Sequence, residues 1–261
     1  MPIDRALVGA LHVDYIGRRD LGEGASLHHM LFQTSTVDAL LDGNYDGDIT
    51  FAELEERGDL GLGTLDALDG EMIALDGDFY QIRSDGRAYP IDGQTKTPFA
   101  VVTAFEPTLF QALDGVADLG ALCARVDHLF GDTGICCAVR VDGHFGYVRT
   151  RSVPRQRKPY PPLVEVVKNQ PVFELYDVRG SLVGFRFPDY AQGLNVAGYH
   201  FHFITADRSA GGHVLECRLT EGELGIDQEA DLQVELPPGV SLLVPDQTSA
   251  KRETLDRIEK E

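Results

Sequence analysis

The segment Gly198-Tyr-His-Phe-His-Phe-Ile-Thr205 alternates imidazole and aromatic side chains, and that period of two restricts the fold more than any other feature of the chain. On a strand, successive side chains point to opposite faces, so His200 and His202 share one face while Tyr199, Phe201 and Phe203 share the other. The aromatic face can pack in a core, and the imidazole face then looks into a cavity. Ala206-Asp-Arg-Ser-Ala-Gly-Gly212 is a turn-rich link, after which His213-Val-Leu-Glu-Cys-Arg-Leu219 resumes strand character. If the two strands pair as a hairpin, His213 returns beside His202. Three neutral imidazoles converging from adjacent strands suit a zinc ion, which takes nitrogen ligands at about 2.0–2.1 Å. Three protein ligands also leave a coordination position open, the mark of a catalytic rather than a structural site. The plainer alternative, strand histidines satisfied by hydrogen bonds, suits a lone histidine better than this set. His12, His28, His29, His128 and His144 have no such partners and read as surface or packing residues.

Short strand-like runs broken by Gly, Asp and Pro make up most of the remaining sequence: 79–83, 99–105, 135–141, 143–151, 181–186 and 231–236. The Asp142-Gly143 dipeptide between two of these runs predicts a hairpin turn. Helical patterning is rarer; the best candidate starts at Leu109-Phe-Gln-Ala-Leu113 and continues through Leu119–Val126, and Leu163–Lys168 is a short second one. The fold class expected is α/β in the mixed α+β sense, strand-rich, with two packed subdomains each built on a mixed β-sheet. The boundary falls after Val153–Pro162, an extended connector rich in proline with Arg155, Arg157 and Lys158. Residues 1–160 then form the N-terminal subdomain, and 161–261 a C-terminal one carrying the histidine hairpin and a helix-prone tail. In that tail Leu255 and Ile258 are spaced i, i+3 and can dock on the body of the protein, although polar termini usually fray.

Charge narrows the function. The 261 residues carry a formal net charge of −19, which repels phosphate backbones and anionic lipid, so neither nucleic acid nor a membrane surface is an expected partner. An anionic substrate has to be drawn in by a local cluster of positive charge. Met1-Pro-Ile-Asp-Arg5 has no basic region leading into an apolar stretch, and no apolar run approaches the roughly 20 residues that span a bilayer. Cys123, Cys136, Cys137 and Cys217 form no CxxC pair. Adjacent Cys136 and Cys137 point to opposite faces of a strand and read as small buried residues, not a redox pair. The cytoplasm is the expected compartment.

A second motif competes for attention. Asp42-Gly-Asn-Tyr-Asp-Gly-Asp-Ile-Thr-Phe-Ala-Glu53 matches the EF-hand calcium loop at Asp42, Asn44, Asp46, Gly47, Asp48 and Glu53. Its surroundings argue against calcium. Gly58 closely follows the loop, Gly22 and Gly24 precede a strand-like Met30-Leu-Phe32, and the loop is single where EF-hands usually come in pairs.

Taken in order, Leu31-Phe-Gln-Thr-Ser-Thr36, Gly61-Leu-Gly-Thr-Leu-Asp-Ala-Leu-Asp-Gly-Glu-Met72, Thr97-Pro-Phe-Ala-Val-Val-Thr103, Val148-Arg-Thr-Arg-Ser-Val-Pro-Arg-Gln156, Val178-Arg-Gly180, Gly198-Tyr-His-Phe-His-Phe-Ile204 and Gly211-Gly-His213 resemble the acetolactate decarboxylases over nearly the whole chain. The resemblance implies a two-part α/β fold and a zinc ion on His200, His202 and His213. It implies catalytic acidic residues at Glu71 and Glu259, an arginine at Arg151 and a pocket-lining residue at Thr64. The implied reaction converts 2-acetolactate to acetoin and carbon dioxide. Two departures, Cys136-Cys137 in place of a Phe-Tyr pair and Arg157 where an acidic residue is common, touch none of these positions.

The chemistry agrees with the resemblance. Loss of carbon dioxide from a 3-oxo acid leaves an enediolate, so the barrier falls when a Lewis acid stabilises charge on the neighbouring oxygens. Arg151 offers a planar fork suited to a carboxylate, and a glutamate near a metal in an apolar pocket can have its pKa tuned to deliver a proton. The expected partners are the small 2-hydroxy-3-oxo acid and a second copy of the chain in a homodimer. Two rivals stand beside this reading: a three-histidine iron oxygenase, since imidazole suits several transition metals, and a non-catalytic calcium-binding module built on the 42–53 loop.

Overall fold

The computed structural model describes residues 29–131 and 134–240, the backbone of His12–Tyr15, and Thr254, Leu255 and Ile258. In chain order the strands are β1 (His12–Tyr15), β2 (Met30–Thr34), β3 (Ile49–Thr50), β4 (Leu60–Thr64), β5 (Glu71–Leu75), β6 (Asp78–Ile82), β7 (Ala88–Pro90), β8 (Lys96–Thr97), β9 (Ala100–Thr103), β10 (Leu109–Val116), β11 (Cys136–Arg151), β12 (Val172–Phe187), β13 (Gly198–Thr205), β14 (Gly211–Glu229) and β15 (Asp231–Glu235). Helices at Val37–Leu41, Phe51–Glu55, Leu119–Phe130 and Leu163–Val166 cover them. The protein is strand-rich mixed α+β, as the sequence implies.

Two large sheets carry the architecture. Eight strands in the order β1-β15-β2-β9-β4-β5-β6-β7 form a mixed sheet, with β15 running parallel to both β1 and β2. Five strands in the order β10-β14-β11-β12-β13 form an antiparallel sheet. Because β13 also pairs with the start of β14, the ring β14–β11–β12–β13 closes on itself. Neither sheet stops at residue 160: β10 and β11 belong to the five-stranded sheet, and β15 inserts into the eight-stranded one. A parallel partner has to arrive by a long crossover, so β15 can come from far along the chain.

Between the sheets lies one core, where Leu60, Leu62, Ile73 and Val101 meet Cys136, Val183, Phe185 and Ile204. The far side of the five-stranded sheet packs Cys137, Val139, Phe201 and Phe203 under the helix Leu119–Phe130. Cys136 and Cys137 therefore do face opposite ways, both are free and buried, and burial pushes the Cys137 thiol up to about 12. Phe201 and Phe203 are the aromatic face read from the alternation; each buried phenyl contributes on the order of 1.5–3 kcal/mol.

Two local expectations are corrected. Asp142-Gly143 makes no hairpin, since β11 runs through it without a break. Gly143 pairs with Gly180 on one side and Gly222 on the other, and a Cβ there would lie 2.5 Å from the Glu221 carbonyl oxygen. The glycine is required by close strand packing instead of by a turn. Leu109–Leu113 is not helical: β10 pairs residue for residue with β14. The helix starts only after Asp118, whose carboxylate accepts from the Ala121 N–H at 2.7 Å and caps it.

Candidate functional site

His202 and His213 stand directly opposite each other in the β13–β14 ladder, and Arg151 of β11 stands opposite His213 on the other side. The hairpin inferred from spacing is therefore present. Gly212 makes it possible. Its φ of 139° lies outside the range L-residues favour, and a Cβ would meet the Arg151 carbonyl oxygen at 2.5 Å. His200 lies two residues before His202 on the same face, and its Nε2 is 3.2 Å from His202 Nε2 and 3.0 Å from His213 Nδ1.

The donor set fits a metal ion. An ion with tetrahedral ligands at about 2.0–2.1 Å separates its nitrogens by roughly 3.3 Å, close to the spacing seen here. His202 Nδ1–H donates to the Met72 carbonyl at 2.8 Å, which turns the Nε2 lone pair toward its two neighbours. That bond also ties β13 to β5 of the other sheet. Desolvation, reinforced by Arg151, pulls the His200 pKa down to about 3. Desolvation and the neighbouring His200 hold His202 well below the usual imidazole value. Both rings are thus neutral at pH 7, as ligands must be. Among the described residues this is the one group of three or more His, Cys, Asp or Glu side chains close enough to share an ion.

The eight-stranded sheet supplies the opposite wall. Glu71 opens β5, opposite Thr64 at the end of β4, and its Oε2 is 3.6 Å from His202 Nε2. Thr64 is buried, and its hydroxyl donates to the Gly70 carbonyl at 2.7 Å. Arg151, 4% exposed, donates from Nη1 to Gln170 Oε1 at 2.6 Å. His200, His213, Glu71, Thr64 and Arg151 line one pocket, whose remaining wall is apolar: Val37, Leu40, Leu68, Phe99, Val153, Leu163 and Val196. Leu255 and Ile258 of the tail also line it, and both are buried. Glu259 lies outside the described residues.

Sequence reasoning named Thr64, Glu71, Arg151, His200 and His213, the polar residues that line this pocket, but missed the apolar wall from Val37 to Val196 and Gln170, which meets the site only through Arg151. Val37 and Leu40 share an i, i+3 spacing that could have marked a helical face; Gln170, in a connector, carries no periodic signal. His29 and His144, set aside from the metal, each pair with a carboxylate at 2.6 Å, Asp227 and Asp177 respectively. The 42–53 loop brings no ligand cluster together. Asp46 is engaged by Lys158 Nζ at 2.6 Å and by Tyr160, and Glu53 folds back to cap its own helix at the Thr50 N–H.

A three-histidine group that could hold a metal ion faces a buried arginine and a carboxylate in a pocket between the two sheets, the arrangement an open, catalytic type of metal centre requires. Residues 31–242 match the family model for alpha-acetolactate decarboxylase. The chain is 48% identical over 231 residues to the alpha-acetolactate decarboxylase of Methylococcus capsulatus, covering 88% of this chain and 89% of that one. It is 46% identical to that of Methanosarcina mazei, covering 92% and 83%. The crystal structure of alpha-acetolactate decarboxylase from Bacillus subtilis strain 168 superposes with a TM-score of 0.84 at 38% identity, over 89% of this chain and all of that one. The chain belongs to the alpha-acetolactate decarboxylase family.

Proposed function

We propose that this protein decarboxylates 2-acetolactate to acetoin and carbon dioxide at a zinc ion held by His200, His202 and His213. The observation that carries the reading is the convergence of three imidazole nitrogens, two of them on rings held neutral, beside a buried guanidinium. A zinc ion bound there supplies Lewis-acid stabilisation for negative charge on the ketone and hydroxyl oxygens of the substrate.

The protein's own groups do the rest. Arg151 receives the substrate carboxylate and fixes its orientation, so that the C–C bond to be broken overlaps the ketone π system. When that bond breaks, its electron pair moves into an enediolate and carbon dioxide departs. Acetoin then needs one proton at the former C2 carbon. Glu71, 3.6 Å from His202, and Glu259 of the tail are the acids proposed for that transfer. Thr64 and the apolar wall shape the cavity around the methyl groups and exclude water from the carbanionic carbon.

Family membership supports this chemistry over an iron oxygenase, and the loop at 42–53 offers no support for a calcium module. A cytoplasmic homodimer is the assembly proposed; sedimentation at one chain mass would overturn the dimer. Among the described residues no helix is long and apolar enough to cross a membrane. The function is tested by incubating the purified protein with racemic 2-acetolactate and measuring acetoin. Acetoin well above the spontaneous rate is expected, and its absence would overturn the proposal.

A further inference from the structure

We infer that Gln170 is a positioning residue for substrate binding: its neutral amide holds one arm of the Arg151 guanidinium and leaves the other edge, with its charge intact, for the substrate carboxylate. The inference rests on the reading that Arg151 receives that carboxylate.

A guanidinium has five N–H donors, and a buried cation is costly unless an anion and hydrogen bonds compensate it. Arg151 is 4% exposed, yet its one hydrogen bond among the described residues is Nη1–H to Gln170 Oε1 at 2.6 Å. Its Nε is buried with no acceptor among the described residues. No carboxylate of the described residues lies within ion-pair distance of it, in a chain with 42 acidic residues. Elsewhere on the same strand the arginines are paired: Arg140 with Asp76 and Asp142, Arg149 with Glu216. The arginine that lines the pocket is thus the one on β11 matched with an amide.

The backbone places that amide. Gln170 N–H donates to the Val167 carbonyl at 3.3 Å, the Pro171 carbonyl accepts from the Ser152 N–H at 3.3 Å, and Val172 pairs with Arg151 in the β11–β12 ladder. Gln170 therefore sits two residues before the ladder partner of the arginine it contacts. With Nη1 pinned, the edge formed by Nε and Nη2 has no hydrogen bond to a described residue and can make the parallel pair of hydrogen bonds that a carboxylate accepts. A glutamate at 170 has the same shape and reach, but would neutralise the guanidinium and compete with the substrate anion.

The test uses the zinc-loaded protein, with 2-hydroxy-2-methylpropanoate as an unreactive carboxylate probe measured by calorimetry, alongside steady-state kinetics on 2-acetolactate. Gln170→Glu should fold as the parent does and weaken both the probe Kd and KM by roughly tenfold or more, with kcat within roughly threefold. Gln170→Met, which keeps the volume and removes the acceptor, should weaken the probe by a smaller factor. Arg151→Ala should abolish probe binding; if it binds the probe as the parent does, the carboxylate-clamp reading itself fails. If Arg151→Ala loses the probe while Gln170→Glu and Gln170→Met both bind it and turn over like the parent, the positioning inference is overturned and the clamp stands. A Gln170→Glu variant that loses kcat with KM and probe affinity unchanged overturns it equally.

Discussion

Two stretches of this chain carry metal-ligand spacing, and only one of them brings its candidate side chains together. In the hairpin at 198–213, two histidines on one strand and a third across the turn bring their ring nitrogens to 3.0 and 3.2 Å. In the loop at 42–53, three of the matching side chains are engaged in other hydrogen bonds. Asn44 donates to the Ala39 carbonyl, Asp46 binds Lys158 and Tyr160, and Glu53 caps the helix Phe51–Glu55. The difference lies in what enforces the backbone. An alternating aromatic face forces a strand, and a strand alone puts His200 and His202 together. A calcium loop needs two flanking helices to present its oxygens inward, and here five-residue helices are all that border it. Spacing identifies a ligand set only where an independent constraint fixes the conformation between the ligands.

The largest effect expected from breaking this contrast is on the hairpin side. His200→Ala, His202→Ala and His213→Ala should each lose the metal and reduce turnover by roughly a hundredfold or more, with circular dichroism unchanged, because three ligands leave none to spare. Full zinc occupancy by elemental analysis in any one of them would remove that histidine from the set.

The next effect, on turnover but not on metal content, is expected at the tail. Leu255 and Ile258 are buried in the wall of the pocket beside His200 and His213. Deleting 254–261 should abolish turnover while zinc stays bound, and Glu259→Gln alone should lower kcat by roughly tenfold or more if that carboxylate moves the proton. A truncated protein that makes acetoin at the full-length rate would show that the tail only packs. Leu255→Ala should cost about 2–5 kcal/mol of stability through the cavity it leaves, read from chemical denaturation.

The smallest effect belongs to the loop. Asp46→Asn should leave turnover and zinc content unchanged, and added calcium should not raise the melting temperature of the parent protein. A calcium-dependent rise in Tm that Asp46→Asn removes would reinstate the loop as a metal site.

How much could be read from residues alone follows the same contrast. The histidine hairpin was legible because its period is local and its faces chemically distinct. The long strand β11 was not, because Gly143 looks like a turn until its neighbours Gly180 and Gly222 are known, and those lie 37 and 79 residues away in the ladders that flank it. The helical look of Leu109–Leu113 gave way to the edge of β14, which offers a full ladder to pair with. The insertion of β15 between β1 and β2 depends on parallel pairing across most of the chain, for which no local pattern exists. Within the site, Glu71 became a neighbour of His202 only once the two sheets were packed, and Gln170 had no sequence signal at all.

The most direct test of the account is acetoin production from 2-acetolactate measured together with metal content, during chelation and stepwise return of zinc. Acetoin formation should fall to the spontaneous rate as the metal is removed and rise linearly to a plateau at one zinc per chain, while His202→Ala shows no recovery. Full-rate acetoin formation by metal-free protein would contradict it.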